Sequence, residues 1–332
     1  MDEIITLDYG SGGKKTSRLI EKMIVPALDN PALAALGDGA VIQGASELAF
    51  STDSFVIDPI FFPGGDIGKL SVCGTVNDLS MCGAEPKYLS CSFIIEEGLQ
   101  VSELEKIVDS IRSECEKCGV SVVTGDTKVV EKGRGDRIYI NTAGIGFVKY
   151  PGLDPKNIRE GDVVIVSGTV GDHGTAVMLA RSGMMQGDLS SDCAALNGLC
   201  EKILGASENV RVLRDPTRGG LATTLNEFTE GSGLGIVVDE RLIPVKPQVQ
   251  AACDMLGLDP LYCANEGKLI CIAAKEDAEK LLTAMRGTEE GREAAVIGHV
   301  TAEYPGKLVM ETAFGGKRVL QKLTGAQLPR IC

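Results

Sequence analysis

The 332-residue sequence contains two histidines and no tryptophan. One CxxC is present, Cys115 to Cys118 within "SIRSECEKCGVSVV". It falls at the end of an amphipathic helical pattern, with no second CxxC and no suitably spaced histidine, which argues against a zinc site. Positive charge is also scarce: 33 Lys and Arg stand against 46 Asp and Glu, a net charge of −13. That balance excludes nucleic acid and anionic membrane surfaces as main partners. A phosphorylated ligand would need metal ions to sit among so many carboxylates. No apolar run approaches membrane-spanning length, and the opening "MDEIITLDYG" lacks the charge and apolar core of a secretion signal. The expected compartment is the cytoplasm.

What is plentiful is glycine, 41 residues, which predicts tight turns and close backbone approaches. Eleven cysteines, an odd number scattered through apolar runs, read in a reducing compartment as small buried hydrophobes. Cys332 is different. It is the last residue of "LTGAQLPRIC", outside any core pattern, where a chain end is expected to be mobile. A prenylation signal would place its cysteine four residues from the end, so that explanation fails.

The length suggests about two domains. "KKTSRLIEKMIVPAL" has the helical period, with Leu19, Ile20, Met23 and Ile24 on one side. "GAVIQ" and "ELAFSTDSF" read as strands, and "DIGKLSVCGTVNDLSMCGA", apolar nearly all round, as a buried helix. "KYLSCSFIIEE" is a predicted strand, followed by a helix over "VSELEKIVDSIRSECEKCG" with Ser102 as N-cap and Glu105 three residues on. "VSVVTGDTKVV" and "DRIYINTAGIGFV" complete the first half, and "KYPGLDPKNIREGD" has the composition of a linker. Helix and strand then alternate from "VVIVSG" onward, including an amphipathic helix over "SDCAALNGLCEKILG". These patterns predict an α/β (α+β) chain of two sheet-plus-helix domains, 1–150 and 151–313. A basic, glycine-punctuated tail over 314–332 is expected to follow.

Chemistry concentrates in two places. "LDYGSGGKKTSR" resembles a phosphate loop but matches neither the P-loop nor the dinucleotide fingerprint, because Asp8 and Lys15 occupy required positions. Its glycines and lysines suit a strip lying over a polyphosphate, and equally a surface turn before a helix. The second signal is a set of aspartates among glycines or small residues in apolar surroundings: Asp38, Asp53, Asp66, Asp78, Asp126 and Asp215. Any one alone suits a helix cap or turn. Asp78 resists that reading, being inside an apolar helix beside Asn77 with no basic neighbour. Several such carboxylates together suit Mg²⁺, a hard cation that bridges to phosphates. Lys128 in a strand pattern after Asp126, and Glu266 in "YCANEGKLICI", are further charged residues beside apolar runs. His173 reads as closing a turn before its helix and His299 as a strand residue.

Together, "LDYGSGGKKTSRLI", "GDGAVI", "STDSFVIDPIFFPGGDIGKLSVCGTVNDLSMCGAEP", "TGDTKVV", "RDPTRGGLATTLNE", "ANEGKL" and the terminal "PRIC" resemble the HypE family of hydrogenase maturation proteins. This family lies within the ATP-binding superfamily of aminoimidazole ribonucleotide synthetase, selenophosphate synthetase and thiamine-monophosphate kinase. The resemblance runs through essentially the whole chain, and "PRIC" separates it from those relatives. It implies a homodimer whose first domains form a central barrel-like sheet, with ATP near the domain junction. Ser11, Gly12, Gly13 and Lys14 would cover the phosphates. Asp38, Asp53, Asp78, Asp126 and Asp215 would form the Mg²⁺ and phosphate network, with Asn77 adjacent and Asp66 not assigned to it. The implied reaction is dehydration of a carbamoyl group on the Cys332 thiol to a thiocyanate, supplying cyanide to the iron of [NiFe]-hydrogenase. A carbamoyltransferase, HypF, would load the thiol, and a HypC–HypD complex would accept the cyanide. Glu266 and Lys128 are the candidates for base and electrostatic partner, in either order. Two rival readings are an ATP-dependent enzyme with a diffusible substrate, which has no need of Cys332, and a carrier without catalysis, which has no need of ATP.

Overall fold

The computed structural model describes residues 3–11, 13–34, 39–183 and 188–322. After a tight turn at Leu7–Gly10, the chain enters α1 (Lys14–Leu19), a widened turn at Ile20–Ile24, α2 (Val25–Ala27) and α3 (Pro31–Ala34). Leu19, Met23 and Ile24 are buried, as their spacing predicts. Then follow β1 (Leu48–Phe55), the small hairpin β2 (Phe61–Phe62) and β3 (Gly65–Asp66), α4 (Ile67–Met81), β4 (Ala84–Glu96), α5 (Val101–Cys118), β5 (Ser121–Val130) and β6 (Ile138–Val148). The four long strands form one sheet in the order β1-β6-β4-β5. Only β4 and β5 run parallel, because α5 makes the crossover between them.

The near-continuous apolar sequence of α4 has the consequence expected of it. All its residues except Lys69 and Asp78 are buried, between the sheet and α5. Gly68 permits the crossing: a Cβ there would stand 2.4 Å from the Ile107 carbonyl oxygen. The start of α5 differs from expectation. Its capping box is formed by Gln100 and Glu103 rather than Ser102 and Glu105, and Gly119 ends it in the left-handed region at φ 70°.

The second domain contains β7 (Val163–Val166), α6 (Asp172–Ser182), α7 (Asn197–Ala206), β8 (Val210–Arg214), α8 (Gly220–Ser232), β9 (Gly235–Asp239) and α9 (Pro247–Leu256). It continues with β10 (Ile270–Ala273), α10 (Ala278–Arg286), β11 (Ala295–Thr301), β12 (Leu308–Glu311) and β13 (Lys317–Leu320). The sheet order is β13-β12-β9-β11-β7-β10-β8. Helices cover both faces. Val164 and Val166 of β7 point into one apolar cluster with Phe228, and Val163 and Ile165 into another with Leu199 and Leu281. Met81, the last residue of α4, belongs to this second cluster, so the first domain's central helix ends in the second domain's core.

Three segments depart from the sequence reading. "GAVIQ" forms no strand, having no ladder partner among the described residues. Residues 191–196 of the anticipated helix over 191–205 are not helical, and α7 begins only at Asn197. The tail expected from Phe314 is not wholly a tail: β13 pairs with β12 from Lys317 to Leu320, and Leu320 is buried in the sheet's core. No helix of the described residues is long and apolar enough to cross a membrane. The position of Leu320 yields a test. Leu320→Ala is expected to cost about 2–5 kcal/mol, the range for truncating a buried leucine, measured as a shift of the denaturant midpoint. A loss within about 0.5 kcal/mol, as at exposed positions, would mean that the strand adds nothing to the fold.

Candidate active site at the domain junction

Three of the singled-out carboxylates and Glu266 meet where α4 faces the second domain. Asp78 lies one turn from the end of α4, and the Ser51 hydroxyl of β1 donates to its Oδ2 at 2.6 Å. Asp53, on the same strand, accepts from Arg218 Nη2 at 3.4 Å across the junction. Burial first, then the charge of Asp78, raises the Asp53 carboxyl above its ordinary range, while Arg218 opposes the rise. Asp215 sits in the turn between β8 and α8 and is buried. Its burial and the negative Asp78 push its pKa up to about 7. Glu266, 3% exposed, precedes β10. Burial holds its carboxyl well above the usual range, and the charges of Asp215, Asp192 and Asp53 add to the effect. The result is a seam of acids that repel one another, answered on one side by the exposed Arg218.

A second group lies elsewhere on the first sheet. Asp126 and Lys128 of β5 pair with each other, Nζ to Oδ2 3.0 Å, and this lowers the Asp126 pKa. The turn Leu7–Gly10 rests on the same strand. A Cβ on Gly10 would come within 2.5 Å of the Val129 nitrogen, so glycine lets the strip lie flat. Ser11 Oγ donates to the Asp8 carbonyl at 2.9 Å, and Gly13 and Lys14 are exposed at the start of α1. Beside them a cleft of about 230 Å³ has an apolar wall of Ile20, Ile24 and Phe93, with Asp126 and Thr127 also lining it. Register places Asp53 and Gly125 on the two edge strands, through Thr142 and Cys91. Three strand spacings separate them, about 14 Å. Within one chain Lys128 therefore stands on the opposite edge strand of the first sheet from the Asp53 side of the seam.

Two other assignments change. Asn77 was expected beside the nucleotide. Its amide is instead spent on the second domain, Nδ2 donating to the Ala194 carbonyl at 3.1 Å and Oδ1 accepting from Leu196 N at 2.8 Å. His173 is fully buried within the first turn of α6, with Nδ1 2.8 Å from Ser191 Oγ and its ring edge-on to Phe62, so it packs inside the helix rather than capping or closing a turn before it. Asp66 caps α4, accepting from the amides of Gly68 and Lys69 at 2.7 and 3.1 Å. His299 does lie on a strand, β11. Gly12, Asp38 and Cys332 lie outside the described residues.

Among the described residues, no three His, Cys, Asp or Glu side chains converge closely enough to enclose a metal ion. The donors of the seam are nevertheless hard carboxylate oxygens, and Mg²⁺ commonly takes one or two carboxylates, completing its shell with water and phosphate. The seam thus fits a magnesium that arrives with a nucleotide better than a caged resident ion. Sequence reasoning missed two residues here. Arg218 follows Asp215 by three positions in "RDPTRGG", a signal that was available; Asp192 was hidden in a helical pattern.

The chain matches the family model of the AIR synthase related protein, N-terminal domain, over residues 36–148, and of its C-terminal domain over 159–311. It is 50% identical over 332 residues to the carbamoyl dehydratase HypE of Cupriavidus necator, covering 99% of this chain and 95% of that protein. Its structure superposes with a TM-score of 0.95 on a crystal structure of the hydrogenase maturation protein HypE in complex with ATP. That pair shares 49% identity, with 98% and 99% of the two chains covered. A HypE–HypF complex matches with a TM-score of 0.80 at 47% identity, covering 92% and 99%. The chain belongs to the AIR synthase related family and, within it, to the HypE carbamoyl dehydratases.

Proposed function

We propose that this chain is an ATP-dependent carbamoyl dehydratase whose substrate is its own Cys332, carbamoylated on sulfur. The observation that carries the reading is the chain-long identity of one half to a carbamoyl dehydratase. The close superposition on a HypE structure holding ATP supports the nucleotide. The reaction converts the S-carbamoyl cysteine and ATP to the thiocyanate, ADP, phosphate and a proton. The amide oxygen takes the γ-phosphoryl group and becomes a leaving group. Loss of both N–H protons, one to a base and one carried off with the departing phosphate, and cleavage of the C–O bond then leave the S–C≡N group.

Each residue's part follows from its surroundings. Ser11, Gly12, Gly13 and Lys14 would lie along the phosphates with amide donors and positive charge. Mg²⁺, held by carboxylates among Asp38, Asp53, Asp78, Asp126 and Asp215, would supply neutralisation of polyphosphate charge. Glu266, with its raised proton affinity and low exposure, has the character of a base for the N–H proton. Lys128 would act electrostatically, or the two would exchange roles. A homodimer reconciles the separation of Lys128 from the Asp53 side of the seam. One face of the first sheet exposes Phe50 (71%), Leu48 and Ile94, apolar side chains unsuited to water. Two such sheets face to face would bring Lys128 of one subunit toward Glu266 of the other. HypF, as carbamoyl donor, and a HypC–HypD complex, as cyanide acceptor, complete the cycle in the cytoplasm.

Intact-mass spectrometry tests the reaction. The carbamoylated chain with ATP and Mg²⁺ should lose the mass of one water, and Cys332→Ala should never acquire the carbamoyl group while still binding ATP. A carbamoyl group on another cysteine of that variant would overturn the reading. Asp78→Asn should impair turnover most when Mg²⁺ is limiting; normal turnover there would make Asp78 structural. If sites are shared between subunits, Lys128→Ala and Glu266→Gln are each inactive, but mixing and re-equilibrating them should restore about a quarter of wild-type activity, since half the dimers are hybrids with one intact site. No recovery in confirmed hybrids would remove the shared site.

A further inference from the structure

Asp192, in the non-helical segment before α7, has a side chain only 2% exposed. Its Oδ1 accepts from the backbone amide of Glu266 at 3.1 Å. Two residues on, the Ala194 amide donates to the Glu266 carbonyl, also at 3.1 Å. The amide and the carbonyl of Glu266 are thus both held by one short segment. The neighbouring Gly267 is pressed against it: a Cβ there would stand 1.7 Å from the Asp192 carbonyl oxygen. No side chain fits this approach.

The segment is itself anchored from the first domain. Ser191 N donates to the Pro63 carbonyl at 2.8 Å, and Asn77 holds Ala194 and Leu196. Asn77 neighbours Asp78 on α4, so a chain of hydrogen bonds runs from the helix carrying one acid of the seam to the loop carrying another. Asp192 is an expensive way to hold a loop. Its Oδ2 is buried and receives no hydrogen bond from the described residues, with Lys268 Nζ 3.8 Å away as partial countercharge. Such a cost persists where position matters.

We propose that Asp192 is a positioning residue for Glu266, fixing the glutamate's backbone through the hydrogen bond from its amide, with Asn77 locking the supporting segment to the first domain. This rests on the reading of Glu266 as part of the reaction machinery. Displacement of a reacting group by about 1 Å typically costs on the order of 100-fold in rate, and that is the scale at stake.

The test uses the full chain carbamoylated on Cys332, with thiocyanate formation followed by intact mass and ATP affinity measured separately. Asp192→Asn keeps an acceptor of the same shape and should retain the rate within about threefold. Asp192→Glu keeps the charge but moves the acceptor by one methylene. It and Asp192→Ala should lose about 10- to 100-fold in the dehydration rate, with ATP affinity unchanged. The Asn–Glu comparison settles the matter even if the alanine variant does not fold. A full rate in Asp192→Glu and Asp192→Ala, or an Asp192→Asn as slow as Asp192→Ala, would overturn the positioning role. Glu266→Gln run in parallel separates the two ideas. If it is inactive while Asp192→Ala is normal, only the positioning role falls; if it is fully active, the assignment of Glu266 falls and the inference with it.

Discussion

Asp53, Asp78, Asp215 and Glu266 share a seam in which two of them are buried and two half-buried, so water screens them poorly from one another. Like charges in such surroundings oppose one another's ionisation, so Asp53, Asp215 and Glu266 hold their protons more tightly than isolated carboxylates do. Burial is the largest cause for Asp53, Asp215 and Glu266, and the neighbouring acids add to it. An arrangement of this kind weakens the empty fold and strengthens its affinity for a cation or cation-bearing ligand. The rest of the structure serves it. The apolar α4 carries Asp78 into the seam, β1 supplies Asp53 and Ser51, and the second sheet presents Asp215 and Glu266 at the ends of β8 and β10.

The first sheet divides the chemistry in two. Its β1 edge faces the acids, whereas its β5 edge carries Asp126, Lys128 and the glycine turn. A sheet is stiff across its strands, so its edges cannot be drawn together within one chain. Its outer face exposes Phe50, Leu48 and Ile94, apolar side chains whose burial would be favourable in proportion to the area removed from water.

Domain junctions that carry catalytic groups face a further difficulty: small rotations between domains displace those groups by ångströms. Here the junction is fastened at two levels. Met81 inserts into the second domain's apolar core, which resists separation without fixing direction. Asn77 and the non-helical segment at 191–196 supply directional hydrogen bonds, which fix register. The Arg218–Asp53 contact adds little to that fastening because the arginine is mostly exposed.

By itself the sequence determined the two-domain α/β plan and the buried helix at Ile67–Met81, because these follow from local periodicity; it also marked Asp78 by its apolar neighbours, and the structure leaves that carboxylate half-buried against Ser51. Asp53, Asp215 and Glu266 were legible as acids beside apolar runs, and structure adds that they share one seam. Several things were decided only by tertiary partners. "SDCAAL" has helical spacing, yet its amides find Pro63, Asn77 and Glu266 instead of its own carbonyls, and Asp192 becomes visible only there. Asn77 looked like a ligand beside Asp78, but a helix turns about 100° per residue, so adjacent side chains face different neighbours. "GKRVLQ" looked like the start of a tail because its single buried leucine gives no alternating pattern until β12 lies beside it. The separation of Lys128 from the Asp53 side of the seam had no sequence signature at all, since strand order is set by the crossover α5 and by long-range pairing rather than by any local residue preference.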